Sequence, residues 1–327
     1  MVEGTTRDQS AFSKQKSCVR RSVTACLKRL VCLALVLSTA VQGQILRVML
    51  VGTGTPDVSM KRFGGSILVE AGGQKFLFDC GRGAVLRLSQ LHVPLAEVNR
   101  LFLTHLHSDH TVGIPDLWLT GWIFDRTAPF YVWGPAGTRG MMSHLEKAYA
   151  FDIHIRRDVD EKIPGRGVTV VAHDIRQGVV YENNGVKITA FDVDHGPVKP
   201  ALGYRIDYVG RSVVLSGDTR PSENLIRFAK GTDLLVHEVY YVDEETLRTS
   251  PEERIIVHHH TTPEQAGEIF TRVQPKLALF SHIGRRDVNA AKLVELTRRT
   301  YSGPLEVGED LMTIEVGDKI EIRRAAE

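Results

Sequence analysis

Residues 104 to 110 read Thr104-His105-Leu106-His107-Ser108-Asp109-His110. Three imidazoles and a carboxylate fall within six residues, directly after Val98-Asn99-Arg100-Leu101-Phe102-Leu103, which reads as a buried strand. The polar groups therefore sit on the exit loop of that strand. Neutral imidazole and carboxylate are ligands that suit zinc and its borderline relatives. One tetrahedral ion could not use all four groups and stay open to a substrate. The spacing points instead to two ions, with His105 and His107 beginning one site and Asp109 and His110 the other.

Further motifs fall at the ends of other apolar runs. They are Gly52-Thr53-Gly54-Thr55-Pro56, Phe78-Asp79-Cys80-Gly81-Arg82-Gly83, Ser216-Gly217-Asp218-Thr219 and His260-Thr261-Thr262. Together with the His-rich loop they resemble the metallo-β-lactamase fold of dinuclear metal hydrolases, in the branch that holds ribonuclease Z and its related arylsulfatases. The resemblance covers residues 45 to 318. It implies that His195 is the third ligand beside His105 and His107, and that His282 completes the site of Asp109 and His110. It also implies that Asp218 bridges two zinc ions, with manganese or iron as substitutes, and that a bridging hydroxide is the nucleophile. Asp109, His260 and Glu238 are expected to take part in the reaction, His260 at the substrate oxyanion or leaving oxygen and Glu238 orienting it.

Neighbouring histidines read more plainly. His258 and His259 are expected to be solvated, His237 packed at a strand end, and His92, His144, His154 and His173 structural or superficial. The 327 residues include four cysteines, of which Cys18, Cys26 and Cys32 precede residue 44. Cys80 is left alone, a small packed residue that can form no internal disulfide.

Residues 1–43 read as a leader. Basic residues up to Arg29 precede the apolar stretch Leu30–Val41, which has the length of a signal-peptide core and is short for a membrane span. Cleavage is expected before Gln44 or near Ala40, with a later start codon or an uncleaved anchor as alternatives. The chain from residue 44 is then a periplasmic or secreted domain. Residues 1–43 hold seven of the 41 basic residues and two of the 39 acidic ones, so the remainder carries a charge near −3. That composition shows no basic footprint and counts against a nucleic-acid partner.

From Ile45 onward, short β-rich runs alternate with turn signals and helical stretches. Gly72-Gly73, Gly210 and Gly317-Asp318 mark hairpin turns. Two β-rich halves with helices outside fit an α/β, four-layer αββα sandwich. Trp118, Leu119, Trp122 and Ile123 recur at helical spacing, as a core face, an apolar wall beside the metals, or both.

The family does not fix the substrate. The carboxylate of Asp218 argues against β-lactam hydrolysis, because true metallo-β-lactamases of this fold carry a smaller residue there. Ribonuclease Z carries a long basic arm between the positions resembling His195 and Asp218, and here the two lie only 23 positions apart. The expectation is accordingly an exported arylsulfatase-like hydrolase of a small sulfate or phosphate ester, as a monomer or homodimer, with Trp118, Trp122, Trp133 and Phe124 around an aryl group. A ribonuclease Z-like phosphodiesterase that processes tRNA 3′ ends is the alternative, and a metal-binding module without turnover is a third reading.

Overall fold

The computed structural model describes residue 1, residues 45–284 and residues 288–325. The chain divides into two units, 1–44 and 45–327. The leader expected at 1–43 lies outside the described residues, save Met1. Among the described residues no helix is long and apolar enough to cross a membrane.

The second unit contains two sheets. One has eight strands in the order β15-β14-β1-β2-β3-β4-β5-β6. They are β1 (Leu46–Gly52), β2 (Ser66–Ala71), β3 (Gln74–Phe78), β4 (Arg100–Phe102), β5 (Phe130–Gly134), β6 (Val170–Asp174), β14 (Thr313–Val316) and β15 (Ile320–Arg323). The other has seven, in the order β13-β12-β11-β10-β9-β8-β7. Its members are β7 (Gly178–Asn183), β8 (Val186–Asp192), β9 (Leu202–Tyr208), β10 (Arg211–Leu215), β11 (Leu234–Tyr240), β12 (Leu277–Gly284) and β13 (Leu305–Val307).

Strand alternation explains the layering. In β1, Leu46, Val48 and Leu50 join Val213, Leu215, Val236 and Leu279 of the second sheet in a core between the sheets. Met49 and Val51 point the other way, into a core with the helices α1 (Ala84–Gln90), α3 (Ile114–Ile123) and α4 (Thr138–Ala148). A strand buried on both faces needs a near-continuous apolar run, which is why β1 reads Leu-Arg-Val-Met-Leu-Val-Gly. The second sheet is covered on its outer face by α6 (Glu223–Ala229), α9 (Pro263–Val273) and α10 (Ala290–Thr297). The result is the expected αββα sandwich.

Short helices fill the connections: α2 (Ser108–Thr111), α5 (Ala150–His154), α7 (Glu244–Thr249) and α8 (Pro251–Val257). Gly72 and Gly73 take positive φ values of 57° and 69° at the β2–β3 turn, where a side chain would be strained.

The tryptophans occupy other places than an aryl pocket. Trp118 and Trp122 are fully buried on the inner face of α3, with their indole N–H groups donated to the carbonyls of Val168 and Pro164. Trp133 stacks on Phe102 at 4.7 Å, and Phe124 is exposed. None of the four lines the cleft described below. The core-face reading of α3 holds, because satisfying a buried indole N–H requires a fixed partner that a substrate wall would not provide.

Candidate metal centre

All the motif residues meet at one edge of the sandwich, where strands from both sheets end. The loop after β4 carries His105 and His107, and α2 carries Asp109 and His110. His195 follows β8 and Asp218 follows β10. Glu238 and His282 lie on neighbouring strands β11 and β12. The pairing register slips between Glu238 and Val239, leaving His282 as the extra residue with φ 46°. Such a bulge turns a side chain out of the strand's regular alternation.

The ligand atoms form two groups. His105, His107 and His195 converge to within 4.8 Å of one another, as do Asp109, His110 and His282. Asp218 lies between them: Oδ2 is 3.9 Å from Nε2 of both His105 and His195 and 3.3 Å from Nε2 of His110, while Oδ1 is 3.4 Å from Nδ1 of His282. His107 is exposed at the rim and the rest are buried. Asp218 therefore stands where one carboxylate could serve both groups.

Several of these atoms have no hydrogen-bond partner although buried: Nε2 of His105, Nε2 of His195, Oδ1 of Asp218 and Nδ1 of His282. An orphaned buried polar atom costs about 1–3 kcal/mol, so four at one place call for an occupant. Cations fit this donor set. Burial would favour a neutral Asp218, yet the facing imidazoles of His282, His110 and His105 hold its carboxyl well below the usual range. Burial, together with the neighbouring His110, keeps His105 deprotonated. Burial opposes charge on His110, but the carboxylates of Asp218 and Asp79 outweigh it and hold its pKa well above the usual range, so a divalent ion binding there would release that proton.

The surrounding shell orients the rings. His110 Nδ1 lies 2.8 Å from Asp79 Oδ2, and Asp79 also accepts from the backbone N–H and hydroxyl of Thr104, each at 2.8 Å. Asp79 reaches these groups from φ 57°, a conformation aspartate tolerates better than most residues. His195 Nδ1 lies 3.0 Å from the His259 carbonyl and His105 Nδ1 lies 3.0 Å from Thr104 Oγ1. In each ring one nitrogen is occupied, so the other is aimed at the centre. Sequence reasoning assigned no role to Asp79 or Thr104; the Phe78-Asp79-Cys80-Gly81 motif after β3 was the available signal.

His260 stands at the edge of the group. Its Nδ1 is 3.2 Å from Glu238 Oε1, which also accepts from the N–H groups of Thr219 and Thr261. Burial opposes charge on this ring, but Glu238 outweighs it, with help from Asp218, and raises its pKa to about 9. Of the remaining histidines, His237 is buried against Phe270 and His258 is exposed, as expected, while His259 is half-buried. Cys80 is a buried, packed thiol whose pKa is pushed well up by burial.

A cleft of about 270 Å³ opens over the centre, between Thr55-Pro56-Asp57 on one side and Tyr240, Ile256 and His259 on the other.

The profile of the beta-lactamase superfamily domain matches residues 74–283. Ribonuclease Z of Mycolicibacterium gilvum is 35% identical over 287 residues, covering 83% of this chain and 96% of that protein. The chain belongs to the ribonuclease Z family of the metallo-β-lactamase superfamily. Solved structures agree in fold. The metallo-β-lactamase fold protein YhfI from Bacillus subtilis superposes with a TM-score of 0.63 at 18% identity, over 83% of this chain and all of that one. Human tRNase Z, short form, gives 0.63 at 20% identity, over 82% and 98%.

These relatives overturn two expectations. The arylsulfatase-like assignment gives way, since proteins similar over nearly their whole length bear the name ribonuclease Z. The inference that nucleic acid is an unlikely partner falls with it. Both rested on a missing arm and a net charge. The ribonuclease Z of Mycolicibacterium gilvum is matched over 96% of its own length by this chain, so the spacing between His195 and Asp218 does not set this chain apart from proteins of that name. Net charge is a sum over the whole surface and does not describe the cleft. The coarser expectation, a metal-dependent hydrolase of this fold, stands.

Proposed function

We propose that this protein is a ribonuclease Z-like phosphodiesterase that cleaves RNA at a centre of two divalent ions, zinc being the first candidate. The observation that carries the reading is the 35% identity to ribonuclease Z over 96% of that relative's length. His105, His107 and His195 would hold one ion, Asp109, His110 and His282 the other, and Asp218 both. Bound there, the ions would supply Lewis acidity to the scissile phosphate and acidify a water.

The chain's own groups account for the remaining proton. Glu238 fixes Nδ1 of His260, so the proton on Nε2 faces the cleft and is available to a departing oxygen. With its pKa raised to about 9, His260 carries that proton at neutral pH. Neighbouring dications would draw this value back toward neutrality, where a general acid is most effective. Among the described residues, the side chains lining the cleft include no lysine or arginine, and Asp57 lies at its lip. The ions and His260 would meet the charge of the phosphate there.

The test pairs reporters on purified protein of known metal content. A bis-aryl phosphodiester should be hydrolysed and an aryl sulfate left almost untouched. The reverse preference would refute the proposal.

A further inference from the structure

Tyr240, at the end of β11, lies flat against His260. Their ring centroids are 5.2 Å apart with 19° between planes. The stack continues from His260 to His282 at 5.9 Å and 18°, and from His282 to His110 at 4.9 Å and 28°. On the Gly284 side the backbone comes so close that an added Cβ would sit 1.9 Å from a ring carbon of Tyr240. Glycine at 284 is what makes room for the ring. At its outer end, Tyr240 donates its hydroxyl to Glu253 Oε2 of α8 at 2.8 Å.

That tether joins the site to an element with little hold of its own. Helices α7 and α8 contain no buried residue, and they occupy the connection between β11 and His260. Ile256 of α8 lines the cleft beside Tyr240, and the adjacent Ile255 is 60% exposed. This edge of the cleft offers an apolar face of the kind on which a nucleobase rests.

We propose that Tyr240 is a positioning residue that sets the plane of His260 and couples it to substrate seated against α8. The proposal rests on the phosphodiesterase reading, with His260 as proton donor. The bond from Glu238 fixes Nδ1 of the imidazole, and His195 meets the ring edge-on at 5.0 Å, but neither sets its plane from the cleft side. The flat face of Tyr240 does so, and Glu253 holds Tyr240 in register with the wall that meets the RNA. Misplacing a catalytic group by about 1 Å can cost on the order of 100-fold in rate.

The experiment compares wild type, Tyr240→Leu, Tyr240→Phe and Glu253→Ala as full-length, zinc-loaded chains, on bis(p-nitrophenyl) phosphate and on a precursor tRNA. Tyr240→Leu should lower kcat on the small diester by roughly 10- to 100-fold with KM unchanged and zinc retained. Tyr240→Phe, which keeps the ring and loses the tether, should restore kcat on the small diester. Both Tyr240→Phe and Glu253→Ala should raise KM for the RNA. Wild-type kcat on the small diester in Tyr240→Leu would overturn the proposal, as would loss of zinc in step with activity, or a Tyr240→Phe variant as slow as Tyr240→Leu. If wild type hydrolyses the diester but no RNA, the ribonuclease reading fails while the kcat ratios on the diester still decide the role of Tyr240.

Discussion

Asp218 and His260 sit within one cluster yet are built for different work, and substitution separates them. Asp218 faces four imidazoles with a partnerless oxygen, whereas His260 has one nitrogen committed to Glu238. Asp218→Ala should lose bound metal and turnover together. His260→Ala should keep both ions and lose turnover by on the order of 100-fold. Metal analysis alongside kinetics checks the pair, and equal metal loss would remove the assigned role of His260. The sign of the pH dependence follows from the raised pKa. A proton donor is present below its pKa, so kcat should fall on the alkaline side with a midpoint at or below about 9, and His260→Ala should flatten that limb. At this scale the sequence is legible where chemistry is local: His105 to His110 lie within six residues, and His195, Asp218 and His282 carry motif neighbours. Asp79 and Tyr240 were opaque because their partners, Thr104, His110, Glu253 and His260, are met only through the fold.

At the scale of elements, burial decides what could be read. Strands β1, β11 and β12 are buried along nearly their whole length and show as apolar runs. Helices α7 and α8 have no buried residue to mark a period, and the sequence alone places no element there; in the structure Asp243 and Ser250 cap them. Strand β7, largely exposed, was equally silent. Helix α9 begins with a full capping box, Thr262 with Gln265, two residues beyond His260. Thr262→Ala should cost about 1 kcal/mol of stability, read as a lower denaturant midpoint. Gly81 makes a sterner demand: an added Cβ would lie 2.5 Å from the carbonyl oxygen of Asp109 and 2.4 Å from the Gly64 backbone. Gly81→Ala should therefore destabilise the protein and shift the His-rich loop, costing metal affinity as well. Unchanged metal affinity would mean that the loop yields elsewhere.

For the molecule as a whole, the sandwich was legible because its three cores impose alternation on most strands, while the substrate was not. Net charge, summed over hundreds of residues, was asked about a cleft lined by a dozen. Among the described residues, the polar groups lining it are chiefly histidines and carboxylates, which a count of lysine and arginine does not register. The domain boundary is a proposal of the same scale. Since β1 starts at Leu46 and contributes to two cores, a chain from residue 44 should fold with the metal affinity and turnover of the full chain. Loss of cooperative unfolding in that shorter chain would show residues 1–43 to be part of the fold. The most direct measurement for the whole account is cleavage of a precursor tRNA with a 3′ trailer by the zinc-loaded protein, with the product ends mapped and His260→Ala run beside it. The account predicts one endonucleolytic cut at the 3′ end of the tRNA body, abolished by chelation and strongly slowed in the variant. An intact RNA under conditions where the same preparation turns over an aryl phosphodiester would contradict it.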